Sequence, residues 1–237
     1  MVSLLAQHAL ADRVAFGALG ERTAGELLRD AAAVAQALPV AVEARAALAL
    51  ISVRRDRYAF AAALLGAWAR GYDVLLPAVD VSRADFLSMA QGPGVTAVLH
   101  DTLSSAALPI DRILAAARPE QALSAAQLSA AFAHRDGIVY VSGCRARQGA
   151  APRALRRSEL LAETLRVAAA LQLPERPVCL PTTLPETQYA LTLGVLWPLL
   201  SGGCFLRDDP RAPEWPASLL DHAPSAGRVL ISVPAQI

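Results

Sequence analysis

An α/β fold, with one or more mostly parallel sheets flanked by helices, is predicted by three features of this 237-residue sequence. Short apolar runs of strand length recur between longer stretches with helical spacing, and several of those stretches open on a recognisable cap. A hydrophobic content of 54% is enough to cover a sheet on both faces.

The elements follow in order. Thr23 and Glu26 have capping-box spacing, and Leu27, Leu28, Ala31, Val34, Ala35 and Leu38 continue as an amphipathic stripe that Pro39 halts. ALALISV at 47–53 reads as a buried strand. A second helix over 56–70 turns Ala61, Leu64, Leu65 and Trp68 inward and stops at Gly71, after which YDVLLP at 72–77 is a strand. Ser82 and Asp85 open a third helix, VTAVL at 95–99 is the next strand, two short Ala-rich helices fill 109–132, and IVYVSG at 138–143 is strand four. Ser158 caps a long helix running to Leu171, VCLP is a short strand, Glu186 to Leu200 is an apolar helix, and CFLR and RVLISV are further strands. The softest boundary, 144–157, divides the chain into a first α/β subdomain over 1–143 and a second, incomplete one over 144–237.

Charge and composition narrow the function classes. A net charge of +1 carries no nucleic-acid footprint. Every basic residue is arginine, so a Walker lysine, a Schiff-base lysine and a catalytic ammonium are all excluded. Cys144, Cys179 and Cys204 form neither a disulfide framework nor a CxxC metal site and fit a reducing cytoplasm. The first residues, MVSLLAQHALADR, lack a basic leader, and the apolar run 189–206 is interrupted by Pro198 and Gly202-Gly203, so a cytoplasmic protein without a membrane span is expected. The four histidines are scattered, no GxSxG, HExxH or GxGxxG occurs, and no catalytic residue or metal ligand can be assigned.

Ligands of an open parallel sheet bind beyond the carboxyl ends of its strands, which directs attention to the loop after IVYVSG. A phosphate cradle needs small residues for close backbone approach, with hydroxyls and a cation beside them. Ser142, Gly143 and Gly149 supply part of that, and Arg145, Arg147, Arg153, Arg156 and Arg157 supply charge. The same residues also fit a solvated basic loop at a helix start.

Three segments, in this order, resemble the adenylate-forming ligases: acyl- and aryl-CoA synthetases, luciferases and the adenylation domains of peptide synthetases. VRRDRYAFAAALLGAWARGYDVLLPAVDVSRADF at 53–86 resembles the family's early helix, glycine turn and proline-ended strand. IVYVSGCRARQGAAPRALRRSEL is similar to its phosphate loop, and LPTTLPETQYALTLGVLWPLLSGG at 180–203 to the helix beside the acyl pocket. The likeness runs from about residue 20 to the end and corresponds to the front half of such an enzyme. It implies that Ser142, Gly143, Gly149 and Arg153 hold phosphate oxygens and that Thr187 and Tyr189 line the acyl pocket. ATP and magnesium are the implied cofactors, and a carboxylic acid with CoA or a carrier-protein thiol the implied partners. The loop departs from the family pattern: Cys144 and Arg145 stand where hydroxyls are usual, and Pro152-Arg153 replaces Pro-Lys, so it reads as degenerate.

The resemblance therefore implies the N-terminal portion of an AMP-forming acid–thiol ligase, inactive as this chain alone because elements that grip adenine, ribose and magnesium have no counterpart. The alternative is a non-catalytic relative that binds or assembles with another biosynthetic protein.

Overall fold

The computed structural model describes residues 4–40, 47–101, 108–118, 120, 122–142, 152–209 and 227–232. Two sheets organise them. The first runs β11-β9-β10-β1-β2 and the second β6-β5-β3-β4-β7-β8, where the strands are β1 (Arg13–Phe16), β2 (Arg22–Thr23), β3 (Leu48–Ser52), β4 (Asp73–Leu76), β5 (Val95–His100), β6 (Leu108–Pro109), β7 (Ile138–Val141), β8 (Arg153–Arg156), β9 (Val178–Pro181), β10 (Cys204–Leu206) and β11 (Arg228–Ile231). Among the named strands only β1–β2 and β7–β8 pair antiparallel, and an isolated antiparallel bridge joins Asp56 to Asp208. The α/β architecture with mostly parallel strands is as the sequence predicts, and the runs at 47–53, 72–76, 95–99 and 138–142 all contribute strands to the six-stranded sheet.

Helix α1 (Ala24–Ala37) starts as expected: Thr23 Oγ1 accepts from Glu26 N at 3.2 Å and Glu26 Oε2 accepts from Thr23 N at 2.8 Å. Helix α2 (Arg57–Ala69) is capped by Asp56 and is buried from Arg57 to Trp68. A helix apolar all round has no face for water, and α2 accordingly lies inside the core with α1 packed on it. The two approach closely because Gly66 lacks a side chain; a Cβ there would lie 2.5 Å from Val34 Cβ. Helices α3 (Arg83–Ala90), α4 (Ile110–Ala115) and α5 (Ala125–His134) also lie where the sequence puts them, α3 capped by Ser82 and α5 by Ser124.

Two departures have physical causes. Ser158 does not cap α6 (Arg157–Ala170); it sits within the first turn, and Asp136, 22 residues earlier, accepts from both Ser158 N and Ser158 Oγ. The expected helix over 186–200 begins at Gln188 and contains a π-helical turn: α7 (Gln188–Leu191), the turn Thr192–Leu196, and α8 (Trp197–Leu200). Pro198 has no N–H to give and its ring crowds the carbonyl four residues back, so the wider turn accommodates it. The sheets also draw on both sides of the 143/144 boundary. β1 and β2 join the strands of the 178–231 region, and β8 pairs with β7 in register Val141↔Arg153 to Ile138↔Arg156.

Candidate functional site at the carboxyl ends of the two sheets

At the amino end of β4 the polar groups serve architecture. Asp73 accepts from Ile138 N at 2.8 Å and from Arg135 at 2.9 Å, and the Arg157 guanidinium lies 4.3 Å from the Phe132 ring centroid while donating to backbone carbonyls. Burial pushes the Arg157 guanidinium below its usual range.

The carboxyl ends differ, because there the two sheets meet. The turn from β3 into α2 reads Arg54-Arg55-Asp56-Arg57, and this one tetrapeptide makes polar contacts to both sheets. Arg54 Nε donates to Glu186 Oε1 at 2.6 Å and Arg54 Nη2 to the Ala78 carbonyl at 3.0 Å, beyond β4. Asp101, following β5, accepts from the backbone N–H of both Arg54 and Arg55 at 2.6 Å. Asp56 receives Arg207 on both oxygens, at 2.5 and 3.1 Å. Arg57 donates from its backbone to the Arg207 carbonyl at 2.7 Å, from Nη1 to the Leu206 carbonyl at 2.8 Å and from Nη2 to the Thr183 carbonyl at 2.5 Å. Its side chain is fully buried and burial lowers its pKa to about 10, nearby carboxylates opposing the shift only in part. Glu186 is likewise completely enclosed.

Of the sequence-predicted residues, Ser142 and Arg153 lie along the same edge. Ser142 follows β7 and its N–H donates to the Leu76 carbonyl at 3.2 Å, so it stands at the carboxyl end of the central strands. Arg153 opens β8 directly across from Val141, and its Nη1 donates to Gln188 Oε1 at 3.2 Å. Gln188 in turn reaches Glu163 of α6 at 3.5 Å. Gly143 and Gly149, together with Cys144, Arg145 and Arg147, lie outside the described residues. Thr187 is occupied as the cap of α7, accepting from Ala190 N at 3.2 Å, and Tyr189 is 43% exposed. The structure thus brings Ser142, Arg153 and the start of α7 to one edge.

The tetrapeptide and its partners Asp101, Glu186 and Arg207 carry no site assignment from sequence reasoning. Their signal is three arginines and an aspartate between an apolar strand and an apolar helix, which a charge pattern alone reads as a solvated turn. Among the described residues no group of three or more His, Cys, Asp or Glu side chains gathers as a metal site, and no helix is long and apolar enough to cross a membrane.

Two largely parallel, helix-flanked sheets whose carboxyl ends meet at one polar junction define an α/β fold of the kind found in the N-terminal part of adenylate-forming ligases. Solved structures sharing it include an acyl-CoA synthetase of Brucella canis, at 14% identity and TM-score 0.59, matched over 85% of this chain and 41% of that one. A benzoate CoA ligase of Burkholderia xenovorans matches at 20% identity and TM-score 0.61, over 84% and 42%. The O-succinylbenzoate coenzyme A synthetase of Bacillus subtilis, in complex with AMP, matches at 13% identity and TM-score 0.60, over 84% and 52%. The chain spans about half the length of these proteins. No protein-family model matches the sequence, and no curated protein matches it.

Proposed function

We propose that this chain is the N-terminal portion of an ATP-dependent, AMP-forming ligase that activates a carboxylic acid for transfer to CoA or a carrier-protein thiol. The observation that carries the reading is the Arg153–Gln188 contact. It joins the second stem of the 142–153 loop to the first residue of α7, so a phosphate held at the loop and an acyl group lying along α7 would be neighbours. The neighbouring folds are acid–CoA ligases, which agrees with that chemistry.

Catalysis in such a site is positioning and charge compensation. Ser142 Oγ and the Arg153 guanidinium have the donor chemistry for pyrophosphate oxygens, with Gly143 and Gly149 allowing close backbone approach. Thr187 fixes the start of α7, and Tyr189 contributes an aromatic wall on the acyl side. Among the described residues no group of three or more His, Cys, Asp or Glu side chains gathers as a metal site, so a magnesium ion here would be held mainly by the phosphates of the nucleotide. The loop lacks the lysine and the extra hydroxyls of its family, so phosphate binding is weak.

Calorimetric titration of the chain with pyrophosphate tests the reading. Binding is expected in the weak range and falls about tenfold in Arg153→Ala, as loss of one charge-assisted contact requires. Absence of any binding, or binding indifferent to Arg153, overturns the phosphate-loop assignment. It would favour the second reading, a non-catalytic assembly partner, for which the lysine-free sequence and the half-exposed Leu230 on edge strand β11 speak.

A further inference from the structure

We infer that the Arg54-Arg55-Asp56-Arg57 turn is a clasp that sets the two sheets against each other, and that Arg54 within it is a positioning residue for the α7 side of the site. The inference deepens the function proposed above and rests on it for its meaning, though the geometry stands by itself.

Every residue of the turn makes a polar attachment. Arg57 holds the carboxyl ends of β9 and β10 through the Thr183 and Leu206 carbonyls, and Asp56 holds Arg207 immediately after β10. Asp101 takes the N–H groups of Arg54 and Arg55 and so fixes the turn against β5. Arg54 alone reaches toward α7. Its guanidinium bridges the Ala78 carbonyl, two residues beyond β4 of the six-stranded sheet, and Glu186, five residues beyond the last residue of β9.

Glu186 stands directly before Thr187, the cap of α7, and two residues before Gln188, which receives Arg153. Burying a carboxylate is costly unless it is paired or hydrogen-bonded, and Arg54 Nε supplies such a partner to the enclosed Glu186 at 2.6 Å, which anchors it where Arg54 stands. The start of α7 is therefore tied through Glu186 to the ends of β3 and β4 and through Gln188 to β8 and α6. β4 lies beside β7, and the carboxyl end of β7 and the amino end of β8 flank the 142–153 segment. A planar guanidinium serves this role where an ammonium would not, because it presents Nε to the carboxylate and Nη2 to the carbonyl at a fixed angle.

Amide hydrogen exchange on the 237-residue chain tests the clasp. In Arg54→Ala and in Glu186→Gln, exchange at 188–191 accelerates about tenfold while α1 and β3 keep wild-type protection. Arg54→Lys does not restore the wild-type rates, and the swap Arg54→Glu with Glu186→Arg restores them in part. A second arm titrates wild type and variants with pyrophosphate and with a non-hydrolysable benzoyl-adenylate analogue. Arg54→Ala weakens the analogue about tenfold and pyrophosphate less than about twofold, because Arg54 acts on α7 and not on the loop. Unchanged exchange at 188–191 in both single variants overturns the positioning role. Loss of protection throughout the chain does so as well, since it would make the pair a general stabiliser. Accelerated exchange at 188–191 in a chain that binds neither probe leaves the clasp standing and sinks the ligase reading.

Discussion

His8 donates through Nε2 to the Pro198 carbonyl at 3.3 Å, while its Nδ1 is buried with no acceptor among the described residues. Protonation would add an N–H at Nδ1 with nothing to receive it. Burial accordingly holds the His8 pKa below the ordinary 6.5, the bond to Pro198 opposing the shift only in part. The unfolded chain then binds the proton more readily than the folded one. Stability is complete above the unfolded pKa and declines as pH falls from about 6.5 through the lower folded value. His8→Gln keeps a donor for Pro198 and removes the titration. Urea midpoints measured from pH 5 to 8 should show the wild type losing stability on the acid side relative to the variant, and parallel pH profiles would refute the assignment.

At the scale of elements, α6 shows how a helix can take its cap from outside its own sequence. Burial pushes the Asp136 carboxyl up, but hydrogen bonds from Ser158 Oγ and N, with the nearby Arg157 and Arg156 charges, outweigh it and hold the pKa below the usual carboxylate range. Asp136→Ala should cost about 1 kcal/mol in a urea titration, the worth of an N-cap. Because the folded pKa is depressed, that contribution is present above the unfolded pKa and disappears as pH falls through the folded value. The gap between wild type and Asp136→Ala should therefore close below about pH 4. A gap that stays constant to pH 3 would mean that the charged carboxylate is not what stabilises the helix.

For the molecule as a whole, the deciding quantity is how much of an active site one chain can supply. Adenylation requires the carboxylate and the α-phosphorus to be held in line while donors offset the developing charge. The residues named here provide a loop stem, a helix and a clasp, within a chain about half as long as the ligases whose fold it shares. Carboxylate-dependent exchange of labelled pyrophosphate into ATP, run with fatty and aromatic acids, should therefore be absent from the isolated chain. Robust exchange would show that these residues suffice.

Local pattern alone determined the fold class, the four central strands and the caps at Thr23, Ser82 and Gly71, because each depends on periodicity or on contacts a few residues apart. β1 and β8 escaped notice for the opposite reason. RVAF and RALR are too short and too mixed to show a strand period, and they become strands only because β10 and β7 offer open edges to them. The candidate site divides along the same line. Ser142 and Arg153 drew attention because they follow and precede strands at the sheet edge, whereas Asp56 and Arg57 read only as the start of a helix over 56–70 and Arg54 carried no reading. Their partners Glu186, Arg207, Thr183 and Leu206 lie between 126 and 151 residues away. Only the meeting of the two sheets buries those arginines, and burial is what turns a run of charge into a set of fixed, directional contacts.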